Sequence, residues 1–319
     1  MSSTRASASH SEPAGRPSIA LALGSGGARG LAHILVLEVL DELGLKPKAI
    51  AGTSIGALFG AAYAAGLSAK HIRAIAEETL GGRFDLLRQL FAARSEPVQK
   101  VLRLVPLRSS LLNPASLLDL LVADLLPNDF SDLEIPLKVV ATDFEMREAV
   151  ILSEGPLRPA IAASIAIPVI FSPVRLGGRT LVDGGLVNPL PFELVAGDAD
   201  ITIAVDVSGV ATNPGGGRRQ SAVDVLMRSV QILEKSITRE KLKSLQPDIY
   251  IDVSVEKFNA LEFYRPREIL AAAAPAKTAL RRQLERIIGS ETLEAVAALP
   301  VEPEPPRRRR GLLRRRRRE

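Results

Sequence analysis

The sequence predicts an α/β fold with a mostly parallel central sheet, and two consecutive strand–turn–helix units carry that prediction. In the first unit, a short apolar run at Ser18–Leu23 precedes a Gly-rich loop and an amphipathic helix that ends at Gly44. In the second, Lys48–Thr53 leads to Ser54 and then to a helix of small residues that ends near Gly66. Because strands joined through helices lie parallel, both units are expected in one sheet.

Later segments extend the same pattern. Further strands are predicted at Ile135–Phe144, Ala149–Ser153, Val174–Val182 (a hairpin), Ile201–Val207 and Asp248–Val255. Further helices are predicted at Pro156–Ile167, Pro191–Ala196, Val223–Ser244 and Arg267–Ile288. Leu-rich segments between about residues 67 and 126 predict a helical insertion or lid after the helix that follows Ser54, although such leucines also fit an ordinary core.

The composition favours one principal domain and a mechanism without metal. The chain has 319 residues, 46% of them hydrophobic, which is enough for one large core. Its lack of cysteine excludes disulfides and Cys-ligated zinc, and its three histidines are too scattered for a convincing metal cluster. No cofactor is expected. We predict one folded domain at 18–300, a disordered segment at 1–17, and a proline linker with a disordered tail at 301–319.

The net charge of +5 is dominated by the last residues of the chain. The run 307–319 holds nine arginines and one glutamate, so it carries +8 and leaves the rest of the chain at −3. We therefore expect no nucleic-acid surface on the folded domain. The arginines of Arg307–Arg318 could contact an anionic membrane or other phosphates, or stay solvated. The polar start and the lack of a spanning apolar run predict a cytoplasmic protein, with any membrane contact peripheral.

The most informative motif is the G-x-S-x-G of Gly52, Ser54 and Gly56, at a predicted strand-to-helix turn. A nucleophilic serine at such a turn adopts strained backbone angles, and its neighbours two positions away must be small. The helix N-terminus that follows also favours developing negative charge. Ser54 is therefore the candidate nucleophile.

Its base is expected to be a carboxylate, because the histidine count disfavours a Ser–His–Asp triad. The only histidine after Ser54 is His71, with no acidic strand between them. The leading candidate is Asp183, which Gly184 and Gly185 follow. An Asp-Gly pair also marks hairpin turns, so a purely structural reading of Asp183 stays open.

A Gly-rich loop between the first strand and helix is the third motif. It runs from Gly24 to Gly30 and includes Arg29. Its amides could approach an oxyanion closely, and the arginine adds positive charge. A nucleotide-binding loop is the alternative, but the glycine spacing misses the dinucleotide-binding register.

These motifs, together with GTSIGALFGAAYAAG, ASIAIPVIFSP and LVDGGLVNPLP, resemble the patatin-like phospholipase family, and most closely its bacterial branch related to neuropathy target esterase. The resemblance covers about residues 19–207. It implies a three-layer α/β/α sandwich and a Ser54–Asp183 dyad. The implied oxyanion site is formed by Gly26, Gly27, Ala28 and Arg29. The implied motif glycines are Gly24, Gly30, Gly52, Gly56, Gly184 and Gly185. Ser25 departs from the family, whose loop usually starts with glycine.

The resemblance implies hydrolysis of phospholipid, lysophospholipid or other acyl esters through an acyl-enzyme. Two alternatives remain at this stage. One is a catalytically weak regulator that binds membrane or nucleic acid through its arginine tail. The other is a nucleotide-binding α/β domain, although neither alternative explains all three motifs.

Overall fold

The computed structural model describes residues 17–82, 112–122, 125–209, 222–253 and 255–288. The strands are β1 (Ile19–Leu23), β2 (Ala49–Thr53), β3 (Leu137–Asp143), β4 (Glu148–Leu152), β5 (Val174–Leu176), β6 (Arg179–Asp183), β7 (Ile201–Asp206) and β8 (Ile249–Asp252). The helices are α1 (His33–Glu42), α2 (Ile55–Ala64), α3 (Ala69–Gly82), α4 (Pro114–Val122), α5 (Leu157–Ser164), α6 (Ala222–Ser244) and α7 (Pro266–Ile288).

One sheet contains all eight strands. Hydrogen-bonded neighbours follow the order β5-β6-β3-β2-β1-β7-β8, and β4 also pairs with β3. The five strands from β3 to β8 in this order are parallel, whereas β4 and β6 run antiparallel to β3. Helices flank this mostly parallel sheet, which confirms the predicted α/β fold.

The two faces of the sheet bury different kinds of side chain. Along β1, Ile19, Leu21 and Leu23 point into the large core against α1, α2 and α7. The alternate residues, Ala20 and Ala22, face a smaller cluster that includes Phe192. Small side chains on this second face let the Pro191–Ala196 segment and the end of α6 lie close to the strands. The short helix predicted at Pro191–Ala196 is a single 3-10 turn at Phe192–Leu194.

The predicted insertion is only partly described. Helix α3 packs on α1 and α7, with Ile72, Ala76 and Leu80 in the main core. Helix α4 contributes Leu118 and Val122 to the same core. Residues 83–111, which form the middle of the predicted lid, lie outside the described residues, as do the segments 1–16, 210–221 and 289–319.

Helix α2 approaches the sheet closely because it is built from small residues. A Cβ at Gly56 would lie 2.2 Å from the carbonyl oxygen of Leu23, which is backbone at the end of β1. At Gly60, one turn further on, a Cβ would meet only side-chain methyls, the nearest on Ile50 at 3.1 Å. The first turn of α2 therefore fixes the distance between helix and strand.

This contrast predicts that two alanine substitutions in one helix have very different effects on stability. Gly56→Ala should lower the free energy of unfolding by at least about 2 kcal/mol, because the sheet backbone must move. Gly60→Ala should stay within about 1 kcal/mol of wild type, since methyl groups can shift and alanine favours helix. Thermal and urea unfolding of both variants measures the difference. Equal stability of the two would contradict the close approach at Gly56.

Candidate active site

Ser54 occupies a strained turn between β2 and α2. Its backbone has φ +55° and ψ −122°, a conformation that a non-glycine residue adopts at a cost of about 1–3 kcal/mol. Ser54 is buried, with 4% of its surface exposed, and it lines a cleft. A Cβ at Gly52 would lie 2.6 Å from the Cα of Ala57, so the turn can close only with glycine there. This geometry is the one predicted for the G-x-S-x-G motif.

Strand β3 brings Asp183 to Ser54. Thr53 at the end of β2 is opposite Val140, and Asp183 at the end of β6 is opposite Ala141, the next residue of β3. Strand β4 occupies one edge of β3 along Val139–Asp143, so both β2 and β6 must pair with the other edge. On that edge the end of β2 meets the end of β6. The Ser54 hydroxyl therefore donates a 2.6 Å hydrogen bond to Oδ2 of Asp183.

Other hydrogen bonds fix the Asp183 carboxyl and its backbone. The amide of Gly185 donates to Oδ1 of Asp183 at 2.7 Å. The backbone amide of Asp183 donates to Ala166 O at 3.0 Å, and the Thr142 hydroxyl donates to Asp183 O at 2.8 Å. The carboxyl is thus presented to Ser54 in one orientation.

Burial raises the pKa of Asp183 to about 6, although the hydrogen bonds from Ser54 and Gly185 act in the opposite direction. Desolvation dominates because the ionised form loses its water shell. A carboxyl with this pKa is still mostly ionised at neutral pH. It is also a stronger proton acceptor than an exposed aspartate.

Ser164 supports the turn at Ser54, a contact that the sequence reasoning did not predict. Its hydroxyl accepts a 2.8 Å hydrogen bond from the Ser54 amide and donates a 2.6 Å bond to Val140 O. Ser164 is the last residue of α5 and is fully buried. It therefore links the strained turn to β3. Ser164 lies in the segment ASIAIPVIFSP that carries the family resemblance, but that segment does not show which partners its hydroxyl has.

Backbone hydrogen bonds hold the start of the Gly-rich loop against two other parts of the chain. Gly24 N–H donates to Val205 O at 3.0 Å, and Ser25 N–H donates to Pro189 O at 2.8 Å. The amides of Gly26 and Gly27 line the cleft and donate to no acceptor among the described residues. These two amides remain candidates for binding an oxyanion.

The prediction for Ala28 is wrong in this structure. Its amide donates to Ala260 O at 2.7 Å, so this donor is already engaged by the segment that precedes α7. Ala28 is also absent from the lining of the cleft. Packing of the loop against Ala260, which the local sequence does not encode, explains the difference.

The side chain of Arg29, which belongs to the Gly-rich loop, is buried. Its Nε donates to Gly26 O at 3.3 Å, and its Nη1 donates to Gly209 O at 2.8 Å. Its Nη2 is buried without a hydrogen-bond partner in the part of the chain that the structure describes. Burial lowers the pKa of Arg29, but an arginine keeps its charge at ordinary pH. Arg29 therefore positions the loop and adds positive charge at the cleft.

The six motif glycines lie where another part of the chain, either backbone or side chain, approaches closely. A Cβ at Gly30 would meet Ile55, and a Cβ at Gly184 would lie 2.3 Å from Val140 O. The remaining positions are Gly24 against Val205 O, Gly52 against Ala57, Gly56 against Leu23 O and Gly185 against the Glu234 carboxyl. Side chains at these positions would separate the loops that form the cleft.

The cleft is partly open to solvent, and the space in it, including this open part, is about 410 Å³. Its polar side chains are Ser25, Arg29, Ser54, Asp183, Gln231 and Glu234. Its apolar side chains are Ile167, Pro168, Leu186, Met227, Val230 and Ala260. It therefore combines a small set of polar groups with an apolar wall, the usual make-up of a small-molecule site.

Neither described histidine is placed to act as the base. His33 is fully buried in α1, where its Nε2 donates to Gly24 O at 2.9 Å, and burial lowers its pKa to about 4. His71 is exposed on α3. Neither lines the cleft. Within the described residues, Asp183 is the group in contact with the Ser54 hydroxyl.

Comparisons with known proteins identify the family. A patatin-like phospholipase family model matches residues 21–196. An uncharacterized NTE family protein of Mycobacterium bovis is 40% identical over 202 residues, which are 62% of this chain and 51% of that protein. Mouse patatin-like phospholipase domain-containing protein 7 is 30% identical over 192 residues, which are 59% of this chain and 13% of that protein.

The chain thus aligns with about half of the first of these relatives and a smaller part of the second. Among solved structures, VipD from Legionella pneumophila has a TM-score of 0.47 at 16% identity, with 85% of this chain and 67% of VipD covered. Since the family model spans more than half of the sequence, this chain belongs to the patatin-like phospholipase family.

Proposed function

We propose that this protein hydrolyses acyl esters of phospholipids or lysophospholipids, with Ser54 as nucleophile and Asp183 as its base. The observation that carries the proposal is the 2.6 Å hydrogen bond from the Ser54 hydroxyl to a buried carboxyl, at a strained turn that opens into a cleft. Family membership supports the class of reaction, and the apolar wall of the cleft supports an acyl substrate.

The first half of the reaction acylates the serine. Asp183 accepts the proton of the Ser54 hydroxyl while the oxygen attacks the ester carbonyl. The negative charge that develops on the carbonyl oxygen is stabilised by the free amides of Gly26 and Gly27, with Arg29 adding positive potential. Collapse of the tetrahedral intermediate breaks the ester bond, and the departing alcohol takes the proton from Asp183.

The second half releases the acyl group. A water molecule gives a proton to Asp183 and attacks the acyl-serine, passing through a second tetrahedral intermediate at the same amides. Ser54 leaves with the proton from Asp183, so that a fatty acid is released and the enzyme returns to its starting state. One carboxyl therefore serves both as base and as acid in each half.

Two variants test the dyad directly. Ser54→Ala should abolish both ester turnover and labelling by a fluorophosphonate, because the attacked atom is removed. Asp183→Asn should slow both by at least about 10²-fold, since the amide cannot accept the proton. Mass spectrometry of the labelled protein and hydrolysis of a short-chain ester provide the measurements. Ser68→Ala, a change near α3 and away from the cleft, is the control. Labelling of Ser54→Ala at the wild-type rate would contradict the proposal.

The raised pKa of Asp183 predicts where activity fails in acid. Asp183 must be ionised to accept a proton, so kcat/KM should fall as pH decreases through about 6. If the base were an exposed aspartate, the loss of activity in acid would be centred at about pH 3.9. The profile should be measured with an uncharged ester, whose own protonation does not change. Full activity at pH 4.5 would show that Asp183 does not titrate as proposed.

Membrane contact through the arginine run remains a prediction, because Arg307–Arg318 lies outside the described residues. Within the described residues, no helix has the length and apolar character needed to cross a membrane. We propose that the basic run binds anionic lipid at about 1 kcal/mol per arginine near the surface. Deletion of residues 307–319 should reduce sedimentation with phosphatidylserine vesicles and leave turnover of a soluble ester unchanged. Equal sedimentation of both proteins would refute this contact.

A further inference from the structure

Glu234 is a second buried carboxyl in the cleft, on the helix that covers it. It lies in α6 and has 7% of its surface exposed. Its Oε1 accepts a 2.9 Å hydrogen bond from the hydroxyl of Ser25, in the Gly-rich loop. Sequence reasoning did not single out Glu234, because an acidic residue followed by lysine in a long helix is typical of a solvated surface.

Glu234 and Asp183 converge on one point. A Cβ at Gly185 would lie 2.3 Å from Oε1 of Glu234, 3.1 Å from Oδ1 of Asp183 and 3.2 Å from the Ser25 hydroxyl. Two carboxyl groups and a hydroxyl therefore surround the backbone of Gly185. Substitution of this glycine would separate all three.

No described cation neutralises Glu234 by direct contact. Lys235, the next residue of α6, binds Asp206 and Asp252 at 2.9 Å each. Of the groups that face Glu234 from neighbouring elements, Asp183 and Asp206 oppose its ionisation, and Arg29 favours it without forming a hydrogen bond to it. Burial is the largest effect, and together these influences raise the pKa of Glu234 to about 8.

We propose that Glu234 is a positioning residue that works as the neutral acid. It holds the Gly-rich loop through Ser25 and leaves Asp183, among the described residues, as the only negative charge beside Ser54. The inference rests on the proposed function and adds a second titrating group to it. The Ser25 hydroxyl is the contact through which Glu234 reaches the loop.

Ionisation of Glu234 would impair the reaction in two ways. A second negative charge near Gly26 and Gly27 opposes the charge that develops on the substrate oxygen. It would also attract the unpartnered Nη2 of Arg29 and draw positive potential away from that oxygen. The proposal therefore predicts a bell-shaped pH profile, whose acid limb reflects Asp183 and whose alkaline limb reflects Glu234.

Glu234→Gln separates this role from a purely structural one. Its carboxamide oxygen can still accept the Ser25 hydrogen bond, but the side chain cannot ionise. The rate of fluorophosphonate labelling should be measured from pH 4.5 to 9.5, because the probe is uncharged and needs no deacylation step. At pH 9, about one unit above the Glu234 midpoint, wild type should react about tenfold more slowly than at its optimum, and Glu234→Gln less than twofold more slowly.

Two further variants sharpen the comparison. Glu240→Gln makes the same chemical change on the exposed side of α6, where Glu240 contacts only Lys243 among the described residues, and it should keep the wild-type profile. Ser25→Ala should label more slowly at every pH yet retain the alkaline decline, because Glu234 is still present. An alkaline limb in Glu234→Gln as steep as that of wild type would overturn the inference.

Thermal unfolding tests the protonation state of Glu234 without any activity. A carboxyl whose pKa is higher in the folded than in the unfolded state destabilises the fold as pH rises between the two values. For Glu234 that window runs from its ordinary 4.5 to about 8. The Tm of Glu234→Gln should therefore rise relative to wild type by several degrees between pH 5 and pH 8, and a constant difference would also overturn the inference.

Labelling of Ser54→Ala and the pH profile of Glu234→Gln distinguish failure of the proposed function from failure of the role of Glu234. If wild type and Ser54→Ala label equally, the proposed hydrolase function fails, and the functional role of Glu234 fails with it. If labelling depends on Ser54 but Glu234→Gln keeps the alkaline limb, only the role of Glu234 is wrong.

Discussion

The site depends on the register of one strand. Val140 and Ala141 are consecutive residues of β3, and they align the ends of β2 and β6, which arrive from opposite directions along the same edge. A shift of one residue in either pairing would turn the Ser54 or Asp183 side chain to the other face of the sheet and break their contact. The hydrogen bonds from Ser164 to Val140 O and from Thr142 to Asp183 O stabilise this register. They therefore help to keep Ser54 and Asp183 in contact.

Close backbone packing is what makes this register compatible with a reactive serine. The unfavourable φ of Ser54 persists because the surrounding structure determines it from both sides. Gly52 and Gly56 let α2 fold back onto the sheet, and the Ser164 hydroxyl holds the Ser54 amide in place. The fold thus stores local strain at the nucleophile and offsets it with buried contacts of β1, α2 and α5.

Local patterns predicted the fold better than they predicted the site. The strands and Ser54 have strong signals, because apolar runs, turn glycines and the G-x-S-x-G spacing are all read within about ten residues. Glu234 carries no such signal, and the segment ASIAIPVIFSP does not reveal that Ser164 contacts Ser54. Both contacts, Ser164 to Ser54 and Glu234 to Ser25, join residues more than 100 positions apart. The error at Ala28 has the same cause: the acceptor that engages its amide, Ala260, comes from a distant loop.

Electrostatics explains why the cleft holds two carboxyls and one unpaired guanidinium group instead of a simple ion pair. A direct Arg29 contact would lower the pKa of Asp183 and weaken it as a base. In the structure, Arg29 is instead engaged by the carbonyls of Gly26 and Gly209. Asp183 therefore keeps a raised pKa, and the positive charge lies near the loop amides, where negative charge would develop in the proposed reaction. A neutral Glu234 fits this arrangement because it adds a hydrogen-bonding group without adding a charge.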